Sequence, residues 1–149
     1  METKALKASW IILLIIHCVL IISGFTMIFV PEFFLETEFQ GYTGQQWAEF
    51  IESDAETSSF FLLEAAQMGL FMITLGIVLL LITLFAYRKG DKWAWYLLLI
   101  STTLGWGGPA VTNTPTGDMS VIMSVVIFLV IGYVGLAIGA KSVLKKSSV

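Results

Sequence analysis

The sequence predicts an all-α, polytopic membrane protein: a four-helix bundle, up-down-up-down, with a short amphipathic helix in its first outer loop. Three observations carry this. The 149 residues are 57% hydrophobic and only 13% charged, with a mean hydropathy of +0.88, whereas a soluble domain of this size carries about 25% charged residues. Four apolar runs are each about long enough to cross a hydrocarbon core. The eight basic residues fall into three groups, each beside the end of such a run. Intrinsic disorder is excluded by the same composition. A nucleic-acid partner is excluded by the net charge of −3 and the lack of a basic stripe.

The chain reads as one four-span domain, 1–149, with helices at about 10–30, 60–87, 93–111 and 119–140 and an outer loop over 31–59. The first run stops at Pro31. It is longer than the 7–15-residue core of a secretory signal, and no A-x-A site follows it, so it reads as a retained span. Lys4 and Lys7 precede it, Arg88, Lys89 and Lys92 lie between the second and third helices, and Lys141, Lys145 and Lys146 follow the fourth. Basic residues near helix ends stay cytoplasmic. The expected location is therefore the cell membrane, multi-pass, with both termini cytoplasmic.

The outer loop carries Glu32, Glu36, Glu38, Glu49, Glu52, Asp54 and Glu56 with no basic residue. Thr43-Gly44-Gln45-Gln46 fits a capping box, and Trp47, Phe50 and Ile51 follow at amphipathic helical spacing. The plain account is a solvated cap that links two helices. In the inner turn, Trp93, Trp95 and Tyr96 read as an aromatic belt that seats the third helix at headgroup level.

Small residues form stripes on three helices: Gly69, Gly76 and Thr83 on the second; Ala94, Ser101, Gly105 and Gly108 on the third; Ser124, Gly132, Gly135 and Gly139 on the fourth. Small stripes let helix backbones approach closely in lipid. Gly135 and Gly139 have GxxxG spacing, which suits an intrachain contact first and a homo-oligomer second.

Few polar groups fall inside the spans. Glu64 sits one turn inside the second helix with Gln67 on nearly the same face, and an ionisable group there usually faces the bundle interior or a watery cavity. The competing account keeps Glu64 hydrated at the outer interface. Gly105-Trp106-Gly107-Gly108-Pro109 is expected to loosen or end the third helix early, forming with Asn113 and Thr114 an outward pocket that has Glu64 and Gln67 on its wall. The simpler account is a short helix with Trp106 as an interface anchor. His17 lies near mid-membrane, where the ordinary role is a hydrogen bond to a neighbouring helix.

The stretch from Leu63 to Tyr96, with Gly69, Gly76 and Tyr87-Arg88-Lys89-Gly90-Asp91-Lys92-Trp93-Ala94-Trp95-Tyr96, resembles small prokaryotic four-helix membrane proteins grouped as DoxX-like or DUF4345-like. Their inner turn reads Tyr-Arg-x-Gly-x-x-Trp-Ala-Trp. The resemblance covers about a quarter of the chain and implies the four-helix fold; that group has no common activity, so it implies none. The small multidrug transporters place their acid on the first helix, where this chain has none.

No hydrolase, phosphate-loop, dinucleotide or zinc pattern is present. One Cys (Cys18) and one His (His17) exclude an intrachain disulfide and a bis-histidine haem. The chain therefore reads as non-enzymatic, without cofactor or metal. It is expected to bind the lipid bilayer and a partner membrane protein, a lipid or its own copy through the outer face. Two alternatives are a small carrier or protonatable ligand site around Glu64, and an accessory subunit of a membrane redox complex.

Overall fold

The computed structural model describes residues 3–114 and 119–145, apart from the side chain of Ser120. They form six α-helices: α1 (Lys4–Phe29), α2 (Glu32–Thr43), α3 (Trp47–Ser53), α4 (Ala55–Phe85), α5 (Lys92–Thr112) and α6 (Met119–Leu144), with a 3-10 turn at Tyr87–Lys89. No strand occurs among the described residues. Lys146 of the third basic group lies outside them.

Three helices are long and apolar enough to cross a membrane: α1, α4 and α6. The third apolar run does form a helix, α5, but it is not among those three. Its threonines, glycines and proline dilute the hydropathy of an otherwise sufficient length.

The helices run antiparallel, so the basic groups gather at one end and the acidic segment at the other. Thr3 of α1 and Ser142 of α6 hydrogen-bond at the basic end (2.7 Å). α1 lies between α4 and α6, and α5 packs on the far side of α6. α4 and α5 make only sparse contact, so the long helices form a row rather than an evenly closed ring.

Glycines lie at three helix contacts, α1 with α4, α1 with α6 and α5 with α6. A Cβ at Gly24 would lie 2.7 Å from the Gly69 carbonyl oxygen, and one at Gly69 would lie 2.6 Å from that of Gly24, so α1 and α4 cross backbone to backbone. At Gly76 a Cβ would meet Ile21 at 2.6 Å; at Gly135 it would meet Ile12 at 3.0 Å; at Gly132 it would meet Thr102 at 2.6 Å. Gly135 and Gly139 thus pack within the chain, against α1. Gly105 and Gly108 differ from the stripe expectation: no atom lies within 4 Å of a Cβ at either. The buried face of α5 consists of Ala94, Leu98 and Thr102, all in its half nearer the basic end.

Two local expectations are corrected. Thr43 does not open a helix. It closes α2, with its hydroxyl donating to Phe39 O (2.8 Å), and Gly44 follows in the left-handed conformation (φ 74°). The α3 N-cap is Gln46, with no side-chain cap bond. The segment 31–59 therefore holds two helices where the sequence suggested one, because Pro31 starts α2 rather than only ending α1. Likewise α5 does not end at its glycines. Pro109 sits in the last turn, where its carbonyl accepts from the Asn113 backbone N–H (3.0 Å) and the Asn113 side-chain amide (2.9 Å). A proline that near the C-terminus removes one hydrogen bond without breaking the helix.

Candidate functional site

At the basic end the helices are fastened by buried polar contacts. The Ser9 hydroxyl donates to Gly135 O (2.5 Å), which commits its proton, so the Tyr87 hydroxyl donates to Ser9 Oγ (2.5 Å). Tyr87 is fully buried, and a Cβ at Gly139 would clash with its hydroxyl and lie 2.5 Å from Ser9 Oγ. Trp95 Nε1 donates to Leu136 O (3.0 Å), tying α5 to α6. The Arg88 guanidinium lies 5.0 Å from the Trp10 ring centroid, within cation–π range. Leu6, Leu13, Leu79, Ala86, Tyr87, Ala94, Leu98, Leu136 and Val143 form one core cluster here. This end is closed.

One turn-pair further along, His17 is buried against α4. The Thr83 hydroxyl donates to Leu79 O (2.8 Å), so it accepts from His17 Nδ1 (3.2 Å). That geometry assigns the Nδ1–H tautomer to His17. Nineteen residues separate Thr83 from Glu64 along α4, about 28 Å at 1.5 Å per residue. His17 and Glu64 therefore belong to different places in the molecule.

The acidic end is built differently. Trp47 of α3 is 3% exposed and sits among Phe39, Phe50 and Phe61, with ring centroids 5.3, 5.7 and 6.2 Å away. This aromatic cluster seats α2 and α3 on the start of α4. Trp47 Nε1 is buried with no hydrogen-bond partner. Asp54 caps α4, accepting from the Thr57 N–H (3.1 Å) and Thr57 hydroxyl (2.7 Å), and these bonds hold its carboxyl below the usual carboxylate range. Around the cluster the acidic residues are exposed or half-exposed.

Past the core cluster α1 and α4 stay together at Gly24 and Gly69, whereas α5 and α6 are less covered. No residue of α5 beyond Thr102 is buried, and no described residue of α6 before Gly132 is buried. Trp106 stacks on Phe128 of α6 (4.9 Å between centroids), holding α5 to α6 but not to α4. The half of α5 nearer the acidic end thus packs on α6 and leaves its remaining surface uncovered.

Of the residues singled out from sequence, Glu64 and Gln67 are both exposed on α4, and Glu64 makes no hydrogen bond or ion pair among the described residues. Glu64 shares its face of α4 with Phe71, Leu75 and Ile82, seven, eleven and eighteen residues on. Ile82 packs on the core cluster that contains Ala94 and Leu98 of α5. Gln67 lies off that face. Trp106 is on the α6 side of α5, and the Asn113 amide is engaged with Pro109 O. No group of three or more His, Cys, Asp or Glu suited to a metal occurs among the described residues.

Sequence reasoning missed the Ser9–Tyr87–Gly135 contact and the Thr83 partner of His17. A readable signal existed: Ser9 and His17 repeat at eight residues on α1 and so share a face, and Thr83 lies four residues before Tyr87, where α4 gives way to the 3-10 turn. Comparison with protein-family models, with curated proteins and with solved structures yields no match to this chain.

Proposed function

We propose that the chain is a single four-span membrane domain, with its basic end cytoplasmic, that acts as a binding protein open toward the outside. α1, α4 and α6 are apolar enough to cross. Because α4 and α6 both run from the acidic to the basic end, α5 must return between them, which supports a fourth crossing by the less apolar helix. Seven basic residues among those described lie at one end and none lies in 31–59, which supports the orientation.

The observation that carries the binding reading is the difference between the two ends. The basic end is sealed by buried side chains, whereas toward the acidic end α5 and α6 bury no described residue and two helices anchored through Trp47 top the molecule. A membrane protein with a sealed inner end and an open outer one is suited to take a ligand from outside or from the outer leaflet. Thr83 and His17 do pair a hydroxyl with an imidazole, but the Thr83 hydroxyl donates to Leu79 O, so His17 does not take its proton.

Native mass spectrometry tests this on protein released gently from membranes, parent beside a Trp47→Ala variant that unseats the two outer helices. The expected result is a defined adduct on the parent that is reduced at least fivefold in the variant. Spectra without an adduct in either sample overturn the reading.

A further inference from the structure

Trp47 is the only buried residue of α2 and α3, and its Nε1 is the one buried side-chain nitrogen or oxygen among the described residues without a hydrogen-bond partner. Its ring packs with Phe39, Phe50 and Phe61, all six centroid distances lying between 4.6 and 6.2 Å. The three phenyl rings carry no acceptor for the indole proton. The contact that seats α3 therefore strands a donor away from water, and leaving the seat returns that donor to an acceptor.

Little else holds α3 in place. It has seven residues, too few for a helix that is stable alone. Gln46 gives it no side-chain cap bond, and every residue in it except Trp47 and Phe50 is exposed. Before it, Gly44 is left-handed at φ 74° with no atom within 4 Å of a Cβ, so the chain can pivot there. After it, Asp54 ends α3 while its side chain caps α4 through Thr57, which ties the second pivot to the long helix. One ring seats a short helix between two pivots.

Depth supplies the partner. Twenty-seven residues separate Phe61 from Arg88, about 40 Å along the axis. A bilayer with its headgroups is about 40–45 Å thick. With Arg88 at the inner headgroup layer, the aromatic cluster therefore lies at the outer one. Tryptophan is enriched in that layer, where its ring meets apolar matter and its N–H meets polar oxygens. Glu49 and Glu52 of α3 are exposed and no base lies in 31–59, so a negatively charged headgroup layer would repel this helix.

We propose that α3 is a hinged flap: it leaves its aromatic seat, and Trp47 then enters the outer headgroup layer and donates its N–H to a phospholipid oxygen. The partner is a zwitterionic lipid surface, and an anionic surface holds the flap closed. This goes beyond the outward-binding reading and shares only its membrane placement. An inverted orientation would move the flap to the other leaflet without removing it.

Hydrogen exchange of the α3 amides tests this on the full chain in nanodiscs. The variant is Trp47→3-benzothienylalanine, which keeps the shape of the ring and replaces its N–H by sulfur. In phosphatidylcholine this variant is expected to slow α3 exchange at least fivefold, because it removes both the stranded donor and the lipid bond. For the parent, phosphatidylglycerol in place of phosphatidylcholine is expected to slow α3 exchange at least threefold. Amides of α4 beyond Gly69 are expected to keep the parent rate throughout, which shows the fold intact. Equal or faster α3 exchange in the variant overturns the proposal, since the N–H is then satisfied in its seat. Slower exchange in the variant without any dependence on lipid charge overturns the lipid partner and assigns the freed N–H to water.

Discussion

At the residue scale, glycines of similar sequence context do opposite things. Gly139 lies against Tyr87 and Ser9 with no room for a methyl group, whereas Gly105 faces open space. Gly139→Ala is therefore expected to force apart the Ser9–Tyr87–Gly135 contact and destabilise the fold by about 1–3 kcal/mol, the usual cost of overpacking. Gly105→Ala is expected to be neutral or to stabilise by up to about 1 kcal/mol through helix propensity. Thermal unfolding of both variants in one detergent checks this, and a larger loss in Gly105→Ala would refute the assignment. Trp47 sits at the same scale with the reverse problem. Its ring is well packed, but its buried N–H has no acceptor, a condition that costs about 1–3 kcal/mol.

At the scale of elements, α4 is set by its cap as well as by its hydropathy. Asp54 accepts both Thr57 bonds, which stabilise its ionised form and lower its pKa. A lowered folded-state pKa means the cap contributes above the unfolded carboxylate value of about 3.9 and is lost as pH falls through the lower folded value. Asp54→Ala is expected to speed amide hydrogen exchange in the first turn of α4 at pH 7, with Asp54→Asn close to the parent. Parent and Asp54→Ala should converge only below pH 4, and equal exchange at pH 7 would remove the capping role. The two short helices were half-legible beforehand. Trp47, Phe50 and Ile51 announced α3, but Thr43 is equally suited to close a helix or to open one. The following Gly44 decides it by taking φ 74°.

At the scale of the whole molecule, the proposed topology has a direct reading. With Cys18 replaced by Ser, a cysteine at Ser53 is expected to react with a membrane-impermeant maleimide in intact cells. A cysteine at Ser142 is expected to react at least tenfold less until the cells are permeabilised. The reverse pattern would invert the orientation, and with it the side on which α2 and α3 lie.

Much of this protein was written in its composition and periodicity. Long apolar runs, small-residue stripes and segregated charges determine membrane helices, the faces they bury and the two unlike ends, because each follows from local spacing alone. Only the tertiary structure decided which stripes are used. Gly69, Gly76, Gly132, Gly135 and Gly139 meet a neighbour while Gly105 and Gly108 do not, because α1 occupies the centre of the row and α5 leaves it beyond Thr102. It also separated His17 from Glu64 and left Glu64 exposed on α4. A helix's own sequence sets the pattern on its surface, but which part of that pattern is covered depends on the path of its neighbours.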